Sequence, residues 1–396
     1  MNRKLFALMS TLVALLALVM MPVASPATAQ GSATAAPTMA GTMVGTAAKL
    51  NDIVTQRSKD YLSDLSLAAP QGKLVDTSKF KKAPPYTIGF VNWSTANSWT
   101  VQIVNEVQHE ASLYPEIKEF ITVSSEGDAN KQISQIEDLV ARGVDLILLI
   151  PVAPEAIVPA VEEATKAGIP IVVFASLVKT DKYVTYLQAD ELQFGRKQGD
   201  WLMQQLKCKG NIIALNGVAG ISTSDNRRQG LLDAIKACPD GGTSVKILAE
   251  ADGSWAYDQG KQAVERMLAA YPQIDGVWSQ GGAMTQGAIE AFEAAKRPLV
   301  PMTGEDNNGY MLYWQKRLAQ GFKGMAASEP TWQSRVALQA GLRILQGIPV
   351  SSFYALQVPT IYEADVAKYV RPEYSDAYWT NSLLPKDVAD KLYLKK

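Results

Sequence analysis

Arg142-Gly143-Val144-Asp145-Leu146-Ile147-Leu148-Leu149-Ile150 is the stretch whose reading decides the fold. The apolar run over 146–150 does not alternate with polar residues and is too short for a helix, which marks a strand covered on both faces. Before it, residues 130–142 carry a helical pattern that stops at Gly143. After it, residues 154–167 carry another that stops at Gly168. Glycine closes a helix at little strain, so each pattern has its own terminator. A second continuous run, 171–174, follows at once. Strand, helix, strand, helix is the grammar of a parallel α/β sheet.

Working outward, the same alternation extends in both directions. Upstream lie a strand at 86–91, a helix at 99–114 and a strand at 117–123. Downstream, strands are predicted at 184–189, 211–216, 245–251, 276–279, 299–303 and 324–328. Helices are predicted between them at 190–206, 226–237, 257–270, 282–294 and 307–318. Twisted open sheets rarely exceed about ten strands, so two lobes are the economical arrangement. Short right-handed crossovers then give two doubly wound halves with a crevice at the strands' carboxyl ends. A weak echo supports two halves, since Asp145 and Asp275 each introduce an apolar strand.

The first thirty residues read as an export signal. Asn2-Arg3-Lys4 is a positive start, 5–23 an apolar run, and Ala27-Thr28-Ala29 a small-residue cleavage site, with cleavage expected near Ala29. The alternative is a retained membrane anchor. Residues 31–49 are rich in Ala, Thr, Gly and Pro and read as a leader, and 50–65 as a short amphipathic helix.

The 396 residues carry 38 Lys and Arg against 39 Asp and Glu, a formal net charge of −1, which offers no electrostatic footprint for nucleic acid. One His and two Cys leave no zinc-ligand set, and no cofactor is expected. Cys208 and Cys238 fall near the ends of two predicted helices at one rim of the sheet, so in an oxidising compartment they are expected to bridge; two unpaired thiols are the alternative. No convergent acid, base and nucleophile appears. Residues 217–223 lack the Gly-Lys-Ser/Thr ending of a phosphate loop, so the chain reads as a binding protein and not an enzyme.

Several segments together resemble a known family. They are Ile88-Gly89-Phe90-Val91 with Asn97-Ser98-Trp99, the stretch Asp138 to Asp145, Ala167-Gly168-Ile169-Pro170-Ile171-Val172, Ala189-Asp190 with Gly195, and Gly304-Glu305-Asp306. In this order and spacing, over about residues 84–361, the chain resembles the type I periplasmic sugar-binding proteins, particularly their ribose-binding-like branch. The resemblance implies two doubly wound parallel-sheet lobes joined by a three-crossing hinge near 189–190, 328–329 and 357–358. Its implied lobes are 84–189 with 329–357, and 190–328 with 358–396, after a signal (1–29) and a leader (30–83). It also implies a monomer that closes over a sugar or polyol and delivers it to the permease of an ABC importer. A receptor that presents its ligand to a sensor kinase or chemoreceptor is the alternative.

The resemblance also implies site residues. Asn97 and Trp99 stand where the family places an amide and a stacking aromatic, and an indole suits the apolar C–H face of a sugar ring. Trp93 and Trp255 are further candidates for that role, and Tyr257 for a second wall. Asp306 matches the family's strand-end carboxylate, and Arg227 the arginine reaching in from the second lobe. For Trp99 a plain core position is the alternative, for Asp306 a helix cap, and for Arg227 a solvated charge cluster. Ala175-Ser176 replaces an Asp-Arg pair, leaving Ser176. Gly281-Gly282 replaces Asn and Asp, leaving Gln280. Glu329 occupies a hinge Gln position, where it suits a hydroxyl or a cationic group. The tail after Tyr362, with Tyr374, Tyr378 and Trp379, is expected to pack over a lobe or the hinge, or to contact a partner.

Overall fold

The computed structural model of the chain describes residues 68–396. The expected signal, the leader to residue 49 and the helix at 50–65 lie outside the described residues. In chain order the strands are β1 (Ala68–Pro70), β2 (Leu74–Val75), β3 (Tyr86–Asn92), β4 (Ile117–Ser124), β5 (Leu146–Leu149), β6 (Ile171–Phe174), β7 (Thr185–Ala189), β8 (Gly210–Asn216), β9 (Val245–Asp252), β10 (Gly276–Ser279), β11 (Met302–Glu305), β12 (Gly324–Ala327), β13 (Val350–Ser351), β14 (Phe353–Leu356) and β15 (Thr360–Ile361).

Two large sheets hold most of them, in the orders β1-β14-β7-β6-β5-β3-β4 and β15-β12-β11-β10-β8-β9. All neighbours are parallel except the edge strands β1 and β15. Each half winds its five successive strands in the same spatial order, the second beside the first, then the third, fourth and fifth. The order reverses at the first strand, which is where a doubly wound sheet opens its crevice. The chain passes between sheets after β7, after β12 and after β14, giving three crossings.

The Asp echo in the sequence has a structural cause. The Asp145 amide donates to the Thr87 carbonyl while its carboxylate accepts from the Thr87 amide, both at 2.7 Å. Asp275 does the same to Asn211, again at 2.7 Å each way. In each half this carboxylate satisfies an amide at the start of the first strand and fixes the register of the third against it.

Continuous apolar runs mark strands buried on both faces. Leu146 and Leu148 belong to one core with Ile88, Phe90, Val172 and Phe174. Ile147 and Leu149 belong to the opposite one with Val91, Ile136, Leu139, Ile171 and Val173. Each such side chain contributes about 1.5–3 kcal/mol by leaving water, so the register of these strands is firmly set.

The structure adds a helix that the sequence reading did not place, Gln333–Leu345. It packs against the helix Ser98–Ser112 and the strands β5 and β6, and its polar residues are buried with it: Arg335 pairs with Glu106 and Glu110 of the facing helix. Strand β11 starts at Met302, later than the expected 299, after Pro301, which has no N–H to give a ladder.

Cys208 and Cys238 are joined in a disulfide. It ties the ends of the helices Glu191–Leu206 and Ser222–Lys236, which cross closely because Gly195 and Gly230 lack side chains: a Cβ on Gly195 would lie 1.8 Å from the Arg227 carbonyl oxygen.

The tail covers both lobes. From the second-lobe side, the Asn308 amide donates to the carbonyls of Arg371, Tyr374 and Ser375. On the first-lobe side, Glu106 accepts from Ser382 and the Leu383 amide, and Asn105 donates to the Tyr393 hydroxyl. The tail, expected with the second lobe in 358–396, thus bonds to both sides.

Candidate functional site

Between the carboxyl ends of the two sheets lies a cleft of about 630 Å³, its open mouth included. Seven of the residues singled out in the sequence line it: Trp93, Asn97, Trp99, Ser176, Arg227, Trp255 and Glu329. Three do not: Tyr257, Gln280 and Asp306. Glu305 and Trp379, which the sequence reading did not place in the site, do line it.

Backbone conformation delivers the aromatic walls. Trp93 follows β3, and its carbonyl accepts from the Ser125 hydroxyl and the Gly127 amide, so the rim loop is stapled to the next one. Ser254 and Trp255 follow β9 with φ of 52° and 54°, a left-handed pair that non-glycine residues rarely adopt and that turns the indole into the cleft. The ring rests where Gly217 and Gly281 have no side chains; a Cβ would come within 2.1 Å and 2.8 Å of it. This explains Gly281 in place of the family's polar residue. Trp99 is fixed by its Nε1, which donates to the Glu329 carbonyl oxygen at 3.0 Å across the hinge. Trp379 comes from the tail, its Nε1 donating to the Ser98 hydroxyl at 3.0 Å.

Asn97 caps the helix Ser98–Ser112, its Oδ1 accepting from the Thr100 amide. Ser176 sits after β6 beside Ala175, whose φ is 62° and whose carbonyl accepts from Thr223 of the other lobe. That bond and the Trp93–Trp255 contact show the cleft closed.

The charged floor is centred on Arg227, 1% exposed. Its Nε donates to Glu191 at 2.5 Å, Nη1 to Glu305 at 2.7 Å and to the Gln280 carbonyl at 3.2 Å, and Nη2 to Glu329 at 2.5 Å. The guanidinium also lies 3.6 Å from the Phe194 ring centroid. Three buried carboxyls around one cation cannot all ionise without cost. Burial, reinforced by the neighbouring carboxyls, pushes Glu305 up to about 8 despite Arg227 and moves Glu191 upward in the same way, while burial alone raises Glu329.

The three absentees have clear occupations. Tyr257 begins its helix with its hydroxyl turned to Glu290 and Lys261. Gln280 locks the loop after β8, accepting from the Gly217 amide and donating to the Ser224 carbonyl. Asp306 does not line the cleft, and the N-cap of the helix that follows is Asn307. It accepts from the Thr380 hydroxyl at 2.9 Å and from the Asn381 amide at 3.1 Å, so it holds the tail. Burial pushes its carboxyl up to about 6.

A periplasmic binding protein domain matches residues 88–349. The chain is similar to the Xylitol-binding protein of Mycolicibacterium smegmatis, 31% identical over 48% of this chain and 53% of that one, so the match spans about half of that relative's length. It is also 31% identical to the Galactofuranose-binding protein YtfQ of Escherichia coli, over 55% of this chain and 69% of the relative. Among solved structures, the fructose binding periplasmic domain of a hybrid two component system superposes with a TM-score of 0.65 at 26% identity, covering 72% of this chain and 92% of that one. Two identically ordered sheets, crossed three times by one chain and matched by that domain over 88–349, leave one assignment: the chain belongs to the type I periplasmic sugar-binding protein family.

Proposed function

We propose that this chain is the extracytoplasmic solute-binding protein of an ABC importer, which closes on a sugar or similar small polar solute and hands it to the permease. The observation that carries this reading is the cleft at the carboxyl ends of both sheets, where four indoles from both lobes and the tail surround a charged floor. Indoles cover the apolar face of a sugar ring, while Asn97, Ser176, Glu305 and Glu329 supply partners for its hydroxyls. The relatives named for xylitol and galactofuranose support a polyol or sugar as the solute class.

The lobes turn as units about the three crossings, residues 84–189 with 329–357 against 190–328 with the start of 358–396. Export uses the signal at 1–29, with cleavage near Ala29. Among the described residues no helix is long and apolar enough to cross a membrane. The protein acts as a monomer, without cofactor or catalysis.

A thermal-shift screen of the mature chain over sugars and polyols tests solute binding, because a ligand held only by the folded form raises stability by mass action. Flat melting across the panel would remove the reading. The likeness to the fructose binding periplasmic domain of a hybrid two component system favours a second reading, presentation of the ligand to a kinase. A deletion strain that loses growth on the bound solute supports import; unchanged growth with a lost transcriptional response supports sensing.

A further inference from the structure

Three carboxyls converge on one cation at the floor of the cleft. Among the described residues Arg227 is the one cation in its lining, where it pairs with Glu305 and Glu329, and it pairs with Glu191 as well. Four of the five guanidinium N–H groups are taken, one by Glu191, one by Glu305, one by the Gln280 carbonyl and one by Glu329. Arg227 therefore has no fork left to offer to sugar hydroxyls.

Glu305 differs from its neighbours. It is 5% exposed, its Oε1 is held by Arg227, and its Oε2 has no hydrogen-bond partner among the described residues. That oxygen borders the aromatic wall: a point one bond above the Gly281 Cα lies 2.8 Å from Trp255 Cδ1 and 3.6 Å from Glu305 Oε2. The indole, with Met284 Cε, fills the space above the bare Gly281 Cα, which brings its edge near Glu305 Oε2 where both residues line the cleft. Trp93 closes its corner, edge to face with Trp255.

The geometry points to a solute that carries a cationic nitrogen, a protonated amine on a sugar- or polyol-sized frame, seated between Glu305 Oε2 and the Trp93–Trp255 corner. This inference rests on the reading of the cleft as a solute site and names its class of ligand. An ammonium group lets a further one of the three carboxyls ionise beside the single guanidinium. It is also attracted by the negative faces of tryptophan rings, the best of the aromatic partners for a cation. A neutral hydroxyl in the same place gains neither. The upward shift of Glu305 agrees, since a carboxyl held partly protonated without a ligand is one that a cation would re-ionise.

The test is calorimetric titration of the mature chain at neutral pH with matched probes that differ only at one group: D-glucosamine, D-glucose and N-acetyl-D-glucosamine; D-galactosamine and D-galactose; 1-amino-1-deoxy-D-sorbitol and D-sorbitol. The expected result is at least one set in which the amine binds about tenfold or more tightly than its hydroxyl counterpart. In Glu305→Gln that preference falls to near parity, and Trp255→Leu weakens the amine more than the hydroxyl probe. If Glu305→Gln does not fold, the comparison among probes on the unaltered chain decides alone. Hydroxyl probes that bind as tightly as their amines in every set overturn the cationic solute while leaving the solute-binding reading intact. Silence from every probe of both kinds overturns both.

Discussion

Trp93 and Trp255 meet edge to face across the cleft, ring centroids 6.5 Å apart and planes at 78°, one indole from each lobe. An aromatic corner assembled from two bodies exists only when they are closed, so a solute that stacks there stabilises closure through its contacts with both.

Trp255→Ala is expected to weaken the solute identified by thermal shift by about 10- to 100-fold, the loss of one buried aromatic anchor. Calorimetric titration measures it, and an unchanged dissociation constant removes this ring from the site. Gly217→Ala should act in the same direction, because its Cβ would stand 2.1 Å from the indole and displace it.

Asp306→Ala should release the tail while leaving every cleft-lining residue but Trp379 in place. It deletes the acceptor of the buried Thr380 hydroxyl and one of the acceptors of the Asn381 amide, which keeps Ser328, a cost of about 2 kcal/mol. Chemical denaturation should show that loss, and limited proteolysis should cut first beyond residue 362. Affinity falls less than in Trp255→Ala, since only Trp379 is loosened. Unaltered stability would sever Asp306 from the tail.

Stability should fall as pH rises through neutrality. The Glu305 carboxyl is raised from its ordinary 4.5 to about 8 by burial, so the folded state holds its proton more tightly than the unfolded chain. The contribution is fully present below about 4.5 and is lost as pH rises through 8. Glu191 and Glu329, which share Arg227 with it, are shifted the same way and add to the slope; Asp306, raised to about 6, adds to its acid side. Denaturation midpoints between pH 5 and pH 8 read this out. Glu305→Gln should flatten the profile, and an equal slope in that variant would contradict the assignment.

Reducing the Cys208–Cys238 bond, which closes 30 residues of chain, should destabilise the fold by about 3–4 kcal/mol. The bond ties two helix ends at the rim of the second lobe, far from the indoles. Calorimetry under reducing conditions should therefore show a lower midpoint with the affinity kept; an unchanged midpoint would make the bridge energetically idle.

Much of the fold was legible because burial on both faces writes itself as uninterrupted apolar runs. Strand β6 and the helices Tyr257–Ala270 and Gly282–Ala294 have the bounds that the sequence suggested. The helix Gln333–Leu345 was hidden because nearly every residue in it is buried, Arg335 and Gln339 included, so no polar face marks its period. Its charges are satisfied by Glu106 and Glu110 more than 220 residues away, a distance over which local pattern carries no information.

The site divides in the same manner. Trp93, Asn97 and Trp99 were readable from their place just past a strand, since a parallel sheet puts its crevice there. Whether Glu305 or Asp306 faces that crevice could not be read, because the two are adjacent acids at one strand end. The tail decides it by engaging Asp306 through Thr380 and Asn381. Trp379 was expected to pack over a lobe or the hinge, or to contact a partner, and it reaches the cleft because the strap crosses both lobes.

By itself the order of residues determined two wound sheets, their alternation and a crevice at their ends, because hydrophobic period and helix terminators act over a few neighbours. Only the tertiary structure decided which charges converge on Arg227 and which aromatic rings wall the cleft. Those groups come from six separate segments of chain, and it is packing, not spacing, that brings them within a few ångströms of one another.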